Sequence, residues 1–187
     1  MEDDLTLRHG TIALRPLTLN DAVLLHAIVS PETWAGMSAP FPDSIADMRD
    51  HLDKLMATAG LTAFAVEKDE VFVGRTAFYD YVPEVRVDVG YTIYDPRVWG
   101  TDVNPTCKWL LLNHAFEVLQ VHRVGLRCDH RNERSRLAIA RLGATFEGTL
   151  RAFRPSANGS IADVDYFSIT ADEWPTVKAQ LEQRLNI

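Results

Sequence analysis

The sequence predicts a single α+β (mixed α/β) domain over residues 1–187. Three observations carry that expectation. Short runs with strand-like alternation, such as VRVDVGYTI at 85–93, recur along the chain. Runs with helical spacing separate them, as in Trp109, Leu112, Phe116 and Leu119. No internal repeat, low-complexity tract or linker breaks the pattern, and the length suits one domain with one core.

Thr11 to Leu17 predicts a strand with Ile12 and Leu14 inward. Thr18 or Asn20 can cap a helix over about 21–29, and Pro31 ends it. Pro31 to Pro42 is an apolar loop holding Trp34, Met37 and Phe41. Asp43 or Ser44 starts a second helix over about 45–58, stopped by Gly60. Three strands follow at about 61–67, 71–79 and 85–93, with a tight turn at Lys68-Asp69-Glu70 between the first two. Gly90, inside the third, suggests a bulge or the close approach of a ligand. Asp95 to Val103 is a Gly-containing loop, and Asn104-Pro105 opens a strong helix to about 119. His122 to Asp129 is a strand, and Asn132 caps a helix to about Leu142. Strands at about 145–153 and 162–169 and a helix over 171–185 complete the chain. Adjacent strands with short turns favour antiparallel pairing. The strand–helix–strand from 85 to 129 predicts one parallel crossover.

The chain carries a net charge of −7, with 47% hydrophobic and 24% charged residues. That balance argues against a nucleic-acid binder. No run reaches the ~20 apolar residues of a membrane span, and Met1-Glu2-Asp3-Asp4 opens no secretory signal. Cys107 and Cys128 form no CxxC pair, so neither a disulfide scaffold nor a metal site is expected, and the reading is a cytoplasmic protein. Charge is uneven: Arg123, Arg127, Arg131, Arg134, Arg136, Arg141, Arg151 and Arg154 fall close together. That density suits a small polyanionic ligand; a solvated face is the alternative.

Two segments carry candidate chemistry. Tyr91 to Lys108 runs from a strand end through a Gly-containing loop into a helix start, a natural place for a phosphate. It is neither a Walker A loop nor a dinucleotide fingerprint. Cys128 to Arg136 is a strand end followed by a polar helix start, where Asn132 could be an N-cap and Ser135 a surface residue.

Together these segments resemble the GNAT N-acetyltransferases, and within them the RimJ/RimL-like branch. Arg97-Val98-Trp99-Gly100-Thr101-Asp102 resembles the family's Q/R-x-x-G-x-G/A loop. WGTDVNPTCKWLLLNHAFE (99–117), RNERSRLAIARLGATFEGTLR (131–151), IALRPLTLNDA (12–22) and ADVDYFSITADEWP (162–175) also fit, in order, over nearly the whole chain. The resemblance implies the GNAT fold: a central twisted, mostly antiparallel sheet of about seven strands flanked by helices, with one parallel, splayed pair. It implies acetyl-CoA, or another short acyl-CoA, as co-substrate and no metal. Pantetheine would lie beside Ile93 and Tyr94. The pyrophosphate would sit on the amides of Trp99, Gly100, Thr101, Asp102, Val103 and Asn104, with Arg97 in the same loop.

By the same resemblance Asn132 would bond the pantetheine and Ser135 would donate to the CoA sulfur. Asp88 would serve as a base through water, unless it is a structural strand carboxylate. Arg136 or Arg131 would meet phosphate. Trp34, Met37 and Phe41 would line the acceptor cleft, unless they are core. His114, His122 and Glu117 read as packed or surface residues. The acceptor would be a primary amine, on a protein N-terminus or a small molecule, and a homodimer is possible. Net acidity favours a cationic acceptor, whereas Arg151 and Arg154 would suit a carboxylated acyl group if they face the cleft. Asp102 departs from the family's Gly or Ala and predicts either repulsion of the pyrophosphate or a carboxylate turned away, with somewhat weaker CoA affinity. A non-catalytic acyl-CoA-binding module is the alternative function.

Overall fold

A computed structural model describes residues 4–187. Among these residues eight strands form one sheet in the order β1-β2-β3-β4-β5-β6-β8-β7. The strands are β1 (Leu7–His9), β2 (Ile12–Pro16), β3 (Thr62–Lys68), β4 (Val71–Val82), β5 (Arg86–Tyr94), β6 (Arg123–Asp129), β7 (Thr145–Pro155) and β8 (Ile161–Thr170). The helices are α1 (Asp21–Ile28), α2 (Pro31–Trp34), α3 (Ile45–Met56), α4 (Val103–Asn113), α5 (Glu133–Ala140) and α6 (Trp174–Leu185).

The sheet exceeds the expected seven strands by β1, a short edge strand paired with β2 through Gly10, which turns at φ +55°. Three residues are too few for alternation to register in the sequence. The apolar loop contains one helical turn, α2, whose Ser30 and Thr33 form a reciprocal cap. Helix α4 begins at Val103 rather than beyond Asn104. Pro105 is tolerated within its first turn, where the missing N–H has no helical partner to lose. The helix closes in a π-turn over His114–Val118.

Two apolar layers cover the sheet. One packs α4 and α6 through Leu111, Leu112, Val177 and Leu181 against Val87, Val89, Val124 and Leu126. The other packs α1 and α3 through Leu25, Met48 and Leu52 against Ala65, Phe72 and Ile93. Each of the larger side chains removes apolar surface from water, a gain of roughly 1.5–3 kcal/mol.

All neighbouring strands are antiparallel except β5 and β6. Those two pair in parallel only from Arg86↔Arg123 to Val89↔Leu126. Beyond that point β5 stays with β4 as far as Gly74↔Tyr94, and β6 stays with β8 as far as Asp129↔Val164. The sheet therefore opens between them.

Sequence chemistry explains the opening. Between the pairs Ala77↔Gly90 and Arg75↔Ile93, β5 carries one residue more than β4, a bulge containing Tyr91 at φ +52°. The fully buried Arg75 donates from Nη1 to the Tyr91 carbonyl at 2.8 Å and so holds the bulge in place. On the closed side, Gly125 of β6 faces Asp88. A Cβ there would lie 2.2 Å from Asp88 Oδ1.

We expect Gly125→Ala to lower unfolding free energy by about 1–3 kcal/mol through overpacking, measured by urea denaturation. Adding Asp88→Ala should recover much of the loss; no recovery would remove this explanation of Gly125.

Candidate active site

The gap between β5 and β6 leads into a cleft of about 290 Å³ bounded by the starts of α4 and α5 and by the α2 loop. Its lining brings together Ile93, Tyr94, Trp99, Gly100, Asn104, Asn132, Ser135 and Met37, eight of the residues singled out in the sequence. Tyr79, Thr92 and Lys108, which also line it, were not singled out there, and Cys128 and Arg134 were named only as part of a segment and of an arginine cluster. Arg127 and Arg154 line it as well.

One end of the cleft is formed by the loop into α4. Gly100 adopts φ +75°, a conformation that favours glycine. The amides of Trp99, Thr101 and Val103 are engaged locally, by Pro96 O, Val98 O and Thr101 Oγ1. Those of Gly100, Asp102 and Asn104 make none of these local bonds. Trp99 Nε1 donates to Tyr94 O at 3.2 Å, and the Arg134 guanidinium lies 3.6 Å from the Trp99 ring centroid. A cation and a helix N-terminus at one end of a cleft suit an anion.

Asp102 does not line this cleft. Its carboxylate accepts from Lys68 Nζ at 3.0 Å, and its side chain is 57% exposed. Pairing and solvent remove most of the repulsion that the sequence alone suggests. Arg97 folds back on Asp95, donating from Nε and Nη2 to the one oxygen Oδ2, and is largely exposed. That contact is the main cause holding the Asp95 carboxyl below its usual range. Thr101 is exposed and Val103 is buried in the core, and neither lines the cleft.

The middle of the cleft lies at the start of α5. Asn132 caps the helix: its Oδ1 accepts from Ser135 N at 3.0 Å. Its Nδ2 faces Gly36, where a Cβ would approach to 2.4 Å. Gly36 therefore lets the α2 loop close over Asn132. The Ser135 hydroxyl meets the Cys128 thiol, whose titration burial pushes up to about 11. Arg136 is exposed outside the cleft, and Arg131 is committed to Asp129.

Opposite them, Thr92 Oγ1 accepts from Lys108 Nζ at 2.9 Å and shares a hydrogen bond of 2.8 Å with Thr76 Oγ1. Burial of the ammonium lowers the Lys108 pKa to about 8. Asp88 lies outside the lining, within the paired segment opposite Gly125, with Tyr79 as a hydrogen-bond partner. Burial raises its pKa, while Arg127 opposes the shift.

Of Trp34, Met37 and Phe41, only Met37 lines the cleft, beside Thr33, Gly36 and Ser38 of the same loop. Trp34 is fully buried, donates from Nε1 to Ala39 O at 2.9 Å and meets Phe41 edge-on. Both support the loop from beneath. His51 lies against Trp34 and contacts Arg75 at 3.1 Å. Burial, with Arg75 adding to it, lowers the His51 pKa to about 4. Glu117 receives Trp174 Nε1 and Lys178 Nζ. Among the described residues no group of three or more His, Cys, Asp or Glu is placed to hold a metal ion, and no helix is long and apolar enough to cross a membrane.

The model of the acetyltransferase (GNAT) domain matches residues 11–145. The chain belongs to that family. Its fold is that of a T. thermophilus protein assigned as an acetyltransferase: TM-score 0.91, 34% identity, 96% of each chain covered. Mycobacterium smegmatis RimJ, solved in complex with CoA-disulfide, shares the fold at TM-score 0.78 and 22% identity, over 98% of this chain and 94% of that one. The uncharacterized N-acetyltransferase YnaD of Bacillus subtilis (strain 168) is 23% identical over 106 residues, 57% of this chain and 61% of YnaD. The match thus spans about three fifths of that relative's length.

Two outcomes follow from this geometry. Lys68→Ala should weaken acetyl-CoA binding about three- to tenfold by freeing the Asp102 carboxylate. The Lys68→Ala/Asp102→Gly pair should restore it; calorimetric titration of both variants gives the coupling. A Lys68 effect that persists without Asp102 would contradict the pairing.

The second concerns Lys108. Its folded pKa of about 8 lies below the ordinary 10.5. Between those values the unfolded chain binds more protons, so this group's contribution to stability rises with pH across that window. It is lost as pH falls through the folded value, an effect on the order of 3 kcal/mol. Lys108→Met should therefore be the more stable protein at pH 7 by urea unfolding, with the advantage shrinking toward pH 10. An advantage independent of pH would refute it.

Proposed function

We propose that this protein is an acyl-CoA-dependent N-acyltransferase that moves an acetyl group to a primary amine by direct attack in a ternary complex. The observation that carries this reading is the interrupted β5–β6 pair, which opens onto Ser135 and onto the loop into α4.

Beyond Val89 and Leu126 each strand has lost its partner on one side, so the amide-bearing pantetheine arm can lie between them as a short surrogate strand. The phosphates then reach the Gly100, Asp102 and Asn104 amides and Arg134. RimJ, with its CoA-disulfide, supports a nucleotide of this kind on this fold. The Asn132 Nδ2, free of the capping bond made by Oδ1, is available to the pantetheine.

The neutral amine attacks the thioester carbonyl. The C–N bond forms, the C–S bond breaks, and the departing CoA thiolate takes a proton as the ammonium loses one. Ser135 donates to the sulfur, and the protonated Cys128 thiol beside it keeps that hydroxyl oriented. An amine acceptor with pKa near 8 is partly neutral at physiological pH, so the base has modest work to do. Asp88 would act as that base through water. The acceptor approaches past Met37 and the α2 loop. RimL, a ribosomal L7/L12 α-N-protein acetyltransferase of the same fold, gives a protein N-terminus as one precedent; a small amine is the other.

Calorimetry with acetyl-CoA, followed by thiol release with a panel of peptide and small amines, tests the proposal. Tight binding and amine-dependent release are expected. Ser135→Ala should cut turnover roughly 10- to 100-fold with little change in acetyl-CoA affinity. Binding without release from any amine would favour an acyl-CoA-binding module instead.

A further inference from the structure

The charged residues that line the cleft are Lys108, Arg127, Arg134 and Arg154; among the described residues no Asp or Glu lines it. This holds in a chain of net charge −7. Arg134 stacks on Trp99 at the phosphate end, and Lys108 is bonded to Thr92. Of the two others, Arg127 lies beside Tyr79 and Tyr166, and Arg154 beside Gly36 of the α2 loop, past which the acceptor is proposed to approach.

Arg127 follows the last β6 residue paired with β5, so its side chain projects to the sheet face opposite Leu126 and Cys128. It lies over the Tyr79 ring at 4.7 Å and donates to Tyr166 Oη at 2.7 Å. The carboxylate of Asp80 is 3.9 Å away and largely exposed. Arg154 comes from β7 and donates to two backbone carbonyls, Gly36 O and Pro155 O, each at 3.0 Å. No ion pair involves it among the described residues. Two N–H groups used out of five leave donors for a ligand. Burial lowers its pKa, the Asp129 carboxylate opposes the shift, and the nearby Arg127 adds to it. Asp80 and Asp88 act on Arg127 and Asp129 acts on Arg154 from outside the cleft, but none of the three lines it, so a ligand carboxylate would be the anion that meets both guanidinium groups inside it.

The geometry points to a carboxylate-bearing substrate: Arg127 and Arg154 form a second anion subsite at the acceptor end, reading a carboxylate a few bonds from the reacting centre. This rests on the acyltransferase reading above. It reverses the cationic acceptor that the overall charge suggests, because the local field of the cleft is positive. The carboxylate can belong to the acceptor, as in an amino acid, or to the acyl group of a dicarboxylic acyl-CoA. Either way R–NH2 and acyl–S–CoA give R–NH–acyl and HS–CoA. Arg151, the other candidate from the sequence, is exposed and outside the lining.

The test uses the full chain and measures thiol release in a two-by-two design. Donors are acetyl-CoA and succinyl-CoA; acceptors are amino acids and their carboxamides. If the acceptor supplies the carboxylate, kcat/KM with acetyl-CoA should favour the acid over its amide by about tenfold or more, the scale of a charge-assisted pair. If the acyl group supplies it, succinyl-CoA should beat acetyl-CoA by a similar factor with the amide acceptor. Arg154→Gln should abolish the preference mainly through KM, as should Arg127→Gln, while Arg151→Gln should not change it. Retained acetyl-CoA binding and an unchanged melting temperature would show that the variants fold. Equal rates in all four cells, a preference for polyamines added to the panel, or a preference that survives both variants would overturn the inference. Absence of thiol release in every cell would overturn the transferase reading itself, and this inference with it.

Discussion

The bond from Arg75 to the Tyr91 carbonyl holds one extra residue in the middle of an otherwise regular sheet, and the site depends on that residue. Without the bulge, β5 would continue beside β6 past Val89, and the sheet would close. With it, two strands remain satisfied on their outer edges and unsatisfied on their inner ones. Unpaired backbone within a protein calls for another partner. The fold supplies a narrow opening between stiff walls, and the starts of α4 and α5 converge on it.

The supporting shell is unusual in composition. Arg75 is buried with His51, Trp34 and a carbonyl as neighbours, and among the described residues no carboxylate pairs with it. Lys108 is buried on Thr92, which is itself bonded to Thr76. Both are costly arrangements in a stable core, and both lie directly behind the cleft. Local instability of this kind is common where a site must hold an unfavourable geometry ready for a ligand.

Much of this was legible in the sequence. Gly90 within VRVDVGYTI marked the bulge because glycine inside a strand has few other uses. The strand–helix–strand from 85 to 129 marked the parallel pair, and Asn132 was placed as a cap. Strand β1 was too short to register. Trp34 and Phe41 were ambiguous because an apolar loop reads the same whether it faces a cleft or the core, and only tertiary packing separates Met37 from its neighbours. Arg127 and Arg154 belonged to a cluster of eight arginines, of which the sequence singled out Arg131 or Arg136 for phosphate and Arg151 and Arg154 for a carboxylate, without showing which face the cleft. The structure divides them: Arg123 and Arg131 are committed to Glu147 and Asp129, whereas Arg127, Arg134 and Arg154 reach the cleft. A guanidinium inside an apolar strand, as in VGLRC or VFVGRTAFY, was the signal available.

The orientation of Asp102 followed from a contact 34 residues away in sequence, the Lys68 ammonium of β3, which no local reading supplies. It turns a departure from the family loop into a neutralised surface pair.

The most direct test is a crystal structure of the protein soaked with CoA. The account predicts pantetheine beside residues 90–94, sulfur within about 3.5 Å of Ser135 Oγ, phosphates on the Gly100 to Asn104 loop, and Asp102 still paired with Lys68. CoA bound instead in the outer cavity between Gly10, Thr11 and Arg184, with the β5–β6 gap empty, would contradict it.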